Sequence, residues 1–224
     1  MPVILLFDFG GTLDGDGEPW AVRFHRAYRE CGGTLAQEPF EACFRRTDAV
    51  LTDLPGIRRM GLREMIERQA RLLADLVADG GALNTREMAD RFHATTLAGV
   101  ARNRPMLARL AGRHRLGIVS NFSGNLDRCL TELAVGQFFD VVCDSTVIGW
   151  AKPDQRIFLC ALDALGGTPR EAWMIGDNFE ADIRPAARLG LHTCWIAPEH
   201  RPLPVPGVAT IRLAALPAFL GHVA

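Results

Sequence analysis

Residues 3 to 14 read Val3-Ile4-Leu5-Leu6-Phe7-Asp8-Phe9-Gly10-Gly11-Thr12-Leu13-Asp14. An apolar run ending in a carboxylate and two glycines describes a buried strand whose tip carries an acid into a tight loop. The run is far too short to span a membrane, and no basic flank or cleavage site marks it as a signal peptide. Working outward, the same β-branched and apolar texture returns at 116–120, 141–143, 173–175, 192–196 and 209–211. Between these runs lie stretches of helical periodicity at 105–112, 126–135, 154–165, 180–189 and 213–220. Strands alternating with helices predict an α/β fold: a doubly wound, Rossmann-like parallel sheet with helices on both faces.

The stretch 15–99 reads differently, because it shows helical periodicity and no strand. Helices are expected at 18–31, 39–51, 58–78 and 85–100, broken by Gly32-Gly33, Pro55-Gly56 and Gly80-Gly81. The expected organisation is therefore a core of residues 1–14 and 100–224 with an all-helical insert, 15–99, after the first strand. Open α/β sheets bind ligands at the carboxyl ends of their strands, so an insert there would stand over the site as a lid.

The composition narrows the class of partner. The 224 residues carry 25 basic and 26 acidic side chains, a formal net charge of −1. Arginines scattered along such a chain leave no electrostatic footprint for nucleic acid or an anionic membrane. A cytoplasmic protein is expected, and oligomeric state is not legible. The six cysteines, none in a C-x-x-C pair, read as buried free thiols. Of the 25 basic residues 24 are Arg, and Lys152 is the sole lysine.

Three further segments place polar groups at strand ends. Ser120-Asn121 closes the second strand, Gly149-Trp150-Ala151-Lys152-Pro153-Asp154 carries the lysine ahead of a helix, and Gly176-Asp177-Asn178-Phe179-Glu180-Ala181-Asp182 puts two carboxylates at and beyond another strand. Each alone could be a turn or a helix cap. Four strand tips delivering Asp, Ser, Lys and Asp in that order are not explained by turn chemistry.

With these motifs the chain resembles the haloacid dehalogenase superfamily of hydrolases, and the insert resembles that family's helical cap of the first type. The resemblance implies phosphoryl transfer through an aspartyl phosphate formed on Asp8, with Ser120 and Lys152 holding the phosphoryl oxygens. It implies Mg²⁺ held by the Asp8 carboxylate, the Gly10 carbonyl and Asp177, with Asp182 as a further member of the metal site, orienting Lys152 or a metal-bound water. Gly11, Thr12 and Asn121 are the accompanying candidates for binding a small phosphorylated substrate.

One position departs from the pattern. Family phosphatases usually carry Asp two residues after the nucleophile, as the acid that protonates the leaving oxygen, and here that residue is Gly10. General acid help of this kind is worth about 10² to 10⁴ in rate. Three readings stay open: a phosphatase compensated by a metal-bound water, by Asp14 or Asp16, or by His25, or acting on a good leaving group; a non-catalytic protein retaining the Mg²⁺ and phosphate pocket; and a 2-haloacid dehalogenase. Gly176-Asp177 argues for a metal and against the last. A cap without lysine excludes the Schiff-base chemistry of the phosphonate-cleaving relatives. Arg45-Arg46 and Arg58-Arg59 are candidates for a second anionic group of the substrate, against a plain solvated helix face. His25 and Tyr28 could face the site or simply pack.

Overall fold

A computed structural model describes residues 3–77 and 83–223. Six strands form one parallel sheet: β1 (Ile4–Phe7), β2 (Arg115–Ser120), β3 (Val141–Asp144), β4 (Ala172–Gly176), β5 (His192–Ile196) and β6 (Ile211–Leu213), in the order β3-β2-β1-β4-β5-β6. The helices are α1 (Trp20–Glu30), α2 (Gln37–Thr52), α3 (Leu62–Leu76), α4 (Thr85–Ala111), α5 (Leu126–Glu132), α6 (Ser145–Ile148), α7 (Gln155–Ala164), α8 (Arg184–Leu189) and α9 (Leu220–Val223). The doubly wound expectation holds.

The alternation of β1 explains why it is the central strand. Leu5 and Phe7 face a core shared with Leu107 and Leu110 of α4, while Ile4 and Leu6 face a second core with Ile157 and Phe158 of α7. A strand buried on both faces has to be apolar throughout, which is what a parallel sheet covered by helices demands. The chain leaves β1 towards β2 on one side and later reaches β4 on the other, so the crevice at the tip of β1 is the topological switch point. Among the described residues no helix is long and apolar enough to cross a membrane.

Helices α1 to α4 pack on one another, each presenting an apolar stripe to its neighbours. The third of them starts later than expected, after a short 3₁₀ turn at Ile57–Arg59, and its expected end at Ala78 and the Gly80-Gly81 break lie outside the described residues. The expected break between 100 and 105 is absent: α4 runs unbroken through Pro105. Proline removes one intrahelical donor, but Phe92 and Val100 on one side of it and Met106, Leu107 and Leu110 on the other are all buried, and that burial keeps both halves in line.

Two other differences concern the end of the chain. The expected helix 180–189 begins as a wide π turn, Phe179–Ile183, before α8. The expected helix 213–220 is instead the end of β6, a 3₁₀ turn Leu216–Phe219 and α9, because Ile211, Arg212 and Leu213 pair with Cys194, Trp195 and Ile196 of β5. All six cysteines are free thiols, as expected, but Cys31, Cys43 and Cys160 are only half-buried.

Candidate active site

Asp8 stands at the first residue beyond β1, and its N–H donates to the Ile175 carbonyl at 2.9 Å, which fixes the residue against β4. The carboxylate is buried. Its Oδ1 accepts from the Ser120 hydroxyl at 2.9 Å and from the Lys152 ammonium at 2.6 Å. Ser120 arrives as the last residue of β2, beside β1 in register. Asp8 and Ser120 thus meet from adjacent strand tips as expected, whereas Lys152, expected at a strand tip, comes from the loop between α6 and α7, because the short helix α6 follows β3.

The loop after Asp8 turns back sharply at Gly11, whose φ of +92° lies in the left-handed region. A Cβ there would come within 2.6 Å of Asp177 Oδ2, so only glycine fits. The turn brings the Thr12 hydroxyl to 2.9 Å from Asp177 Oδ1 and 3.4 Å from Asp8 Oδ2. One hydroxyl proton serves one oxygen at a time, and the shorter distance gives it to Asp177. The Gly11 N–H donates to Asp14 Oδ1 at 2.7 Å, so it is engaged within the loop.

Lys152 is buried with its ammonium between two carboxylates, 2.6 Å from Asp8 Oδ1 and 2.6 Å from Asp182 Oδ1. Asn121 holds the lysine from behind: its amide donates to the Lys152 carbonyl at 2.9 Å and accepts from the Lys152 N–H at 2.7 Å. Both ends of that side chain are occupied, so the geometry makes Asn121 a positioning residue for Lys152. Asp182 sits in the π turn after β4, and its Oδ2 accepts from the Asn178 N–H at 3.0 Å. The Asp177 carbonyl accepts from the indole of Trp195 at 2.9 Å.

Asp8, Asp177 and Asp182 each bring a carboxylate oxygen within 4.8 Å of the others. Three buried carboxyls are set against one ammonium. Burial raises the Asp177 carboxyl well above the ordinary range, and the neighbouring charges of Asp8 and Asp182 push the same way. Burial also raises Asp182, against the pull of Lys152. For Lys152 burial works against the charge, but Asp182 and Asp8 outweigh it and hold the ammonium firmly protonated. A buried acid cluster under-supplied with positive charge is the donor set that suits a hard divalent cation.

This arrangement makes a crossing prediction. Asp177→Asn removes one of three repelling carboxylates and keeps an oxygen to accept from Thr12. In EDTA the variant should melt about 2–4 °C above the parent, on the order of 1 kcal/mol. In excess Mg²⁺ it should melt below the parent, because only the parent gains from binding. The metal-free parent should also gain from mild acid. A raised carboxyl takes up its proton more readily folded than unfolded, so that contribution is present at low pH and is lost as pH rises through the folded value. Calorimetry in the two buffers decides it, and an unchanged order of melting would refute a cation site.

The cavity above Asp8 has a volume of about 730 Å³ and is lined by core residues and by α1 and α2. The substitute acids expected from sequence do not reach it. Asp14 is buried and accepts from four donors: the Gly11 N–H, the Trp20 indole, Arg23 at 2.7 Å and the Thr96 hydroxyl. Asp16 pairs with Arg102, and His25 lies against the Leu35 carbonyl and the rings of Tyr28 and Phe40. Tyr28 is fully buried, its hydroxyl accepting from the Thr34 and Leu35 N–H groups, so it packs. Of the arginine pairs, Arg45 lines the cavity, while Arg58 and Arg59 line an adjoining recess that shares Thr52 and Thr146 with it. The residue that sequence reasoning missed is Trp20, which lines the cavity beside Gly10, and no local pattern in the sequence marks it.

The chain is 35% identical over 101 residues to the pyrimidine 5'-nucleotidase YjjG of Escherichia coli K12, a stretch covering 44% of this chain and 45% of the relative. It is 36% identical over 88 residues to a phosphoserine phosphatase of Thermus thermophilus, covering 39% and 35%. The matched stretches thus span less than half of either relative. In fold it is similar to the magnesium-bound hydrolase YfnB of Bacillus subtilis, with a TM-score of 0.61 over 99% of this chain and 98% of that one at 22% identity. A family model of haloacid dehalogenase-like hydrolases matches residues 3–190, which takes in every strand-tip group described above, and the chain belongs to that family.

Proposed function

We propose that the protein is a Mg²⁺-dependent phosphohydrolase acting on a small phosphorylated metabolite through an aspartyl phosphate on Asp8. The observation that carries this reading is the convergence on Asp8 Oδ1 of the Ser120 hydroxyl and the Lys152 ammonium, beside two further buried carboxylates. The names of the relatives, a nucleotidase and a phosphatase, point the same way. The segment 15–99 acts as a cap, since α1 and α2 wall the cavity above Asp8.

The Asp8 and Asp177 carboxylates and the Gly10 carbonyl would hold the cation, with Asp182 alongside. Bound there, Mg²⁺ supplies the charge that lets a carboxylate approach a phosphate dianion. Lys152 pairs with Asp8 at 2.6 Å and stands ready to neutralise the transferred group. Ser120 donates to the same edge of the carboxylate, where it can turn to a phosphoryl oxygen. An Asp8 oxygen then forms a bond to phosphorus as the ester P–O bond breaks, and the leaving oxygen takes the electron pair. Water attacks the resulting acyl phosphate at phosphorus, releasing inorganic phosphate and restoring the Asp8 carboxylate.

Phosphate release from acetyl phosphate, p-nitrophenyl phosphate and a panel of alkyl phosphates, with Mg²⁺ and with EDTA, tests the reading. Turnover that needs the cation is expected. Turnover that survives EDTA would overturn the metal assignment. No turnover of any ester, with chloride released from 2-haloacids or with Mg²⁺ bound but inert, would replace the reading by dehalogenation or by a binding role.

A further inference from the structure

Gly10 lies two residues beyond the nucleophile with φ −75° and ψ 115°, a conformation open to any residue. Its side chain is therefore missing for reasons of space. A Cβ at Gly10 would stand 3.2 Å from the Trp20 Nε1 and 3.5 Å from two carbons of the same ring. Contact at 3.2 Å is already tight for a methyl group, and a longer side chain would have to displace the indole or lie along it.

The indole is held firmly. Its N–H donates to Asp14 Oδ2 at 2.8 Å, the oxygen that Arg23 also grips at 2.7 Å. Phe9, Phe122 and Phe92 meet the ring edge to face at centroid distances of 6.1, 5.8 and 5.2 Å. Trp20 is nevertheless only partly buried, and it lines the same cavity as Asp8. Phe44 and Phe122 continue the apolar wall. The Trp20 ring thus stands beside position 10, with its own N–H engaged by Asp14.

Two further carboxyls are poorly suited to act as the proton donor. Asp14 lies outside the cavity and is saturated by four donors, and Glu180 is exposed and paired with Arg184 at 2.8 Å. Asp48 of α2 also lines the cavity, apart from the carboxylate cluster, and burial raises its carboxyl above the ordinary range, so it is the candidate acid that the turnover experiment has to test. A leaving oxygen that departs without a proton has to belong to an acidic alcohol, and a flat aromatic wall favours a flat aromatic group.

Resting on the phosphohydrolase reading, we propose that the substrates are phosphate monoesters of flat, acidic hydroxyl groups, phenols above all, with Trp20 as the specificity-determining residue. Asp8 oxygen bonds to phosphorus, and the P–O bond to the aryl group breaks with its electron pair retained as the phenolate. Trp20 binds the departing ring. No enzyme proton is consumed in that step.

Binding and turnover test this separately. In calorimetry on the unmodified protein with Mg²⁺, phenylphosphonate should bind about 3- to 10-fold more tightly than methylphosphonate, the range of one aromatic contact. Trp20→Ala should abolish that preference, and Trp20→Phe should keep most of it, which separates loss of the ring from loss of the Asp14 bond. Equal binding of the two phosphonates by the parent would overturn the proposal even if no ester is turned over. In turnover, aryl phosphates should exceed alkyl phosphates by about 100-fold or more in kcat/KM, with a steep dependence on leaving-group acidity. Gly10→Asp alone should not help alkyl esters, whereas Gly10→Asp with Trp20→Ala should, because only the pair makes room for a donor. A shallow dependence in the parent that steepens in Asp48→Asn would make Asp48 the acid and overturn the proposal. Absence of turnover on every ester would count against the phosphohydrolase reading instead.

Discussion

Asp8→Asn is expected to lower phosphate-ester turnover by about 10⁴-fold or more, since removing a nucleophile eliminates the covalent route and leaves only binding and charge stabilisation. The substitution is nearly isosteric, and its amide oxygen can still accept from Ser120. It also removes one of the three clustered carboxylates, so the fold should not suffer in metal-free buffer. Lys152 retains Asp182 at 2.6 Å as its partner. The loss should therefore lie in kcat, with phosphonate affinity kept within a few-fold. Steady-state phosphate release and acid-quenched labelling from ³²P substrate measure the two halves: the parent should carry label and the variant none. Retention of activity within tenfold, or label in the variant, would mean that another group is the nucleophile.

The second large effect concerns stability. Arg23 on α1 and Asp14 after β1 form an ion pair at 2.7 Å, with both side chains almost wholly buried. Arg23→Met keeps much of the volume and removes the charge, leaving a carboxylate in a dry site. Breaking a buried pair from one side typically costs about 3–5 kcal/mol. In a chain of this size that is a fall in melting temperature of about 6–20 °C. Three donors remain for Asp14, so the lower half of that range is the expectation. Combining Arg23→Met with Asp14→Asn should recover part of the loss, because no charge is left to bury and the amide oxygen, in the place of Oδ2, still accepts from the Trp20 indole and the Thr96 hydroxyl, while its NH2 then faces the Gly11 N–H. Thermal unfolding of the two variants is the measurement. A single variant within 2 °C of the parent would show that water reaches Asp14 when Arg23 is gone.

The parts of this protein that were legible from sequence share a physical property: each is decided within a few residues. An apolar run followed by Asp and two glycines has few alternatives to a strand and a tight loop, and the same holds for Ser120 and for Gly176-Asp177. Their convergence follows from the parallel topology, which puts all the carboxyl ends on one edge of the sheet. Burial between distant segments was not legible. Pro105 looks like a helix stop until Phe92 and Leu110 are both seen to be anchored. Asp14 resembles a spare acid until Arg23, Trp20 and Thr96 are seen closing on it. Asn121 likewise reads as a substrate ligand, and only the fold shows both ends of its amide bound to Lys152.

The continuous helix α4 has a mechanical meaning. At 27 residues it is about 40 Å long, with one end packed among the helices above the sheet and the other against β2. Near its middle it grips the loop that follows the nucleophile strand, through Asn103 to the Leu13 carbonyl at 2.9 Å and Thr96 to Asp14 at 3.2 Å. Sliding the upper helices across the sheet would break both anchors, whereas a bend of about 10° at Pro105 hardly moves Asn103, two residues away, and shifts Thr96 by only about 2 Å. From Pro105 to the far end is roughly 30 Å, so a bend of about 10° at the proline carries that end through about 5 Å. The helix is thus a lever whose fulcrum lies beside the nucleophile loop, and movement of the upper helices is geared to the loop they cover.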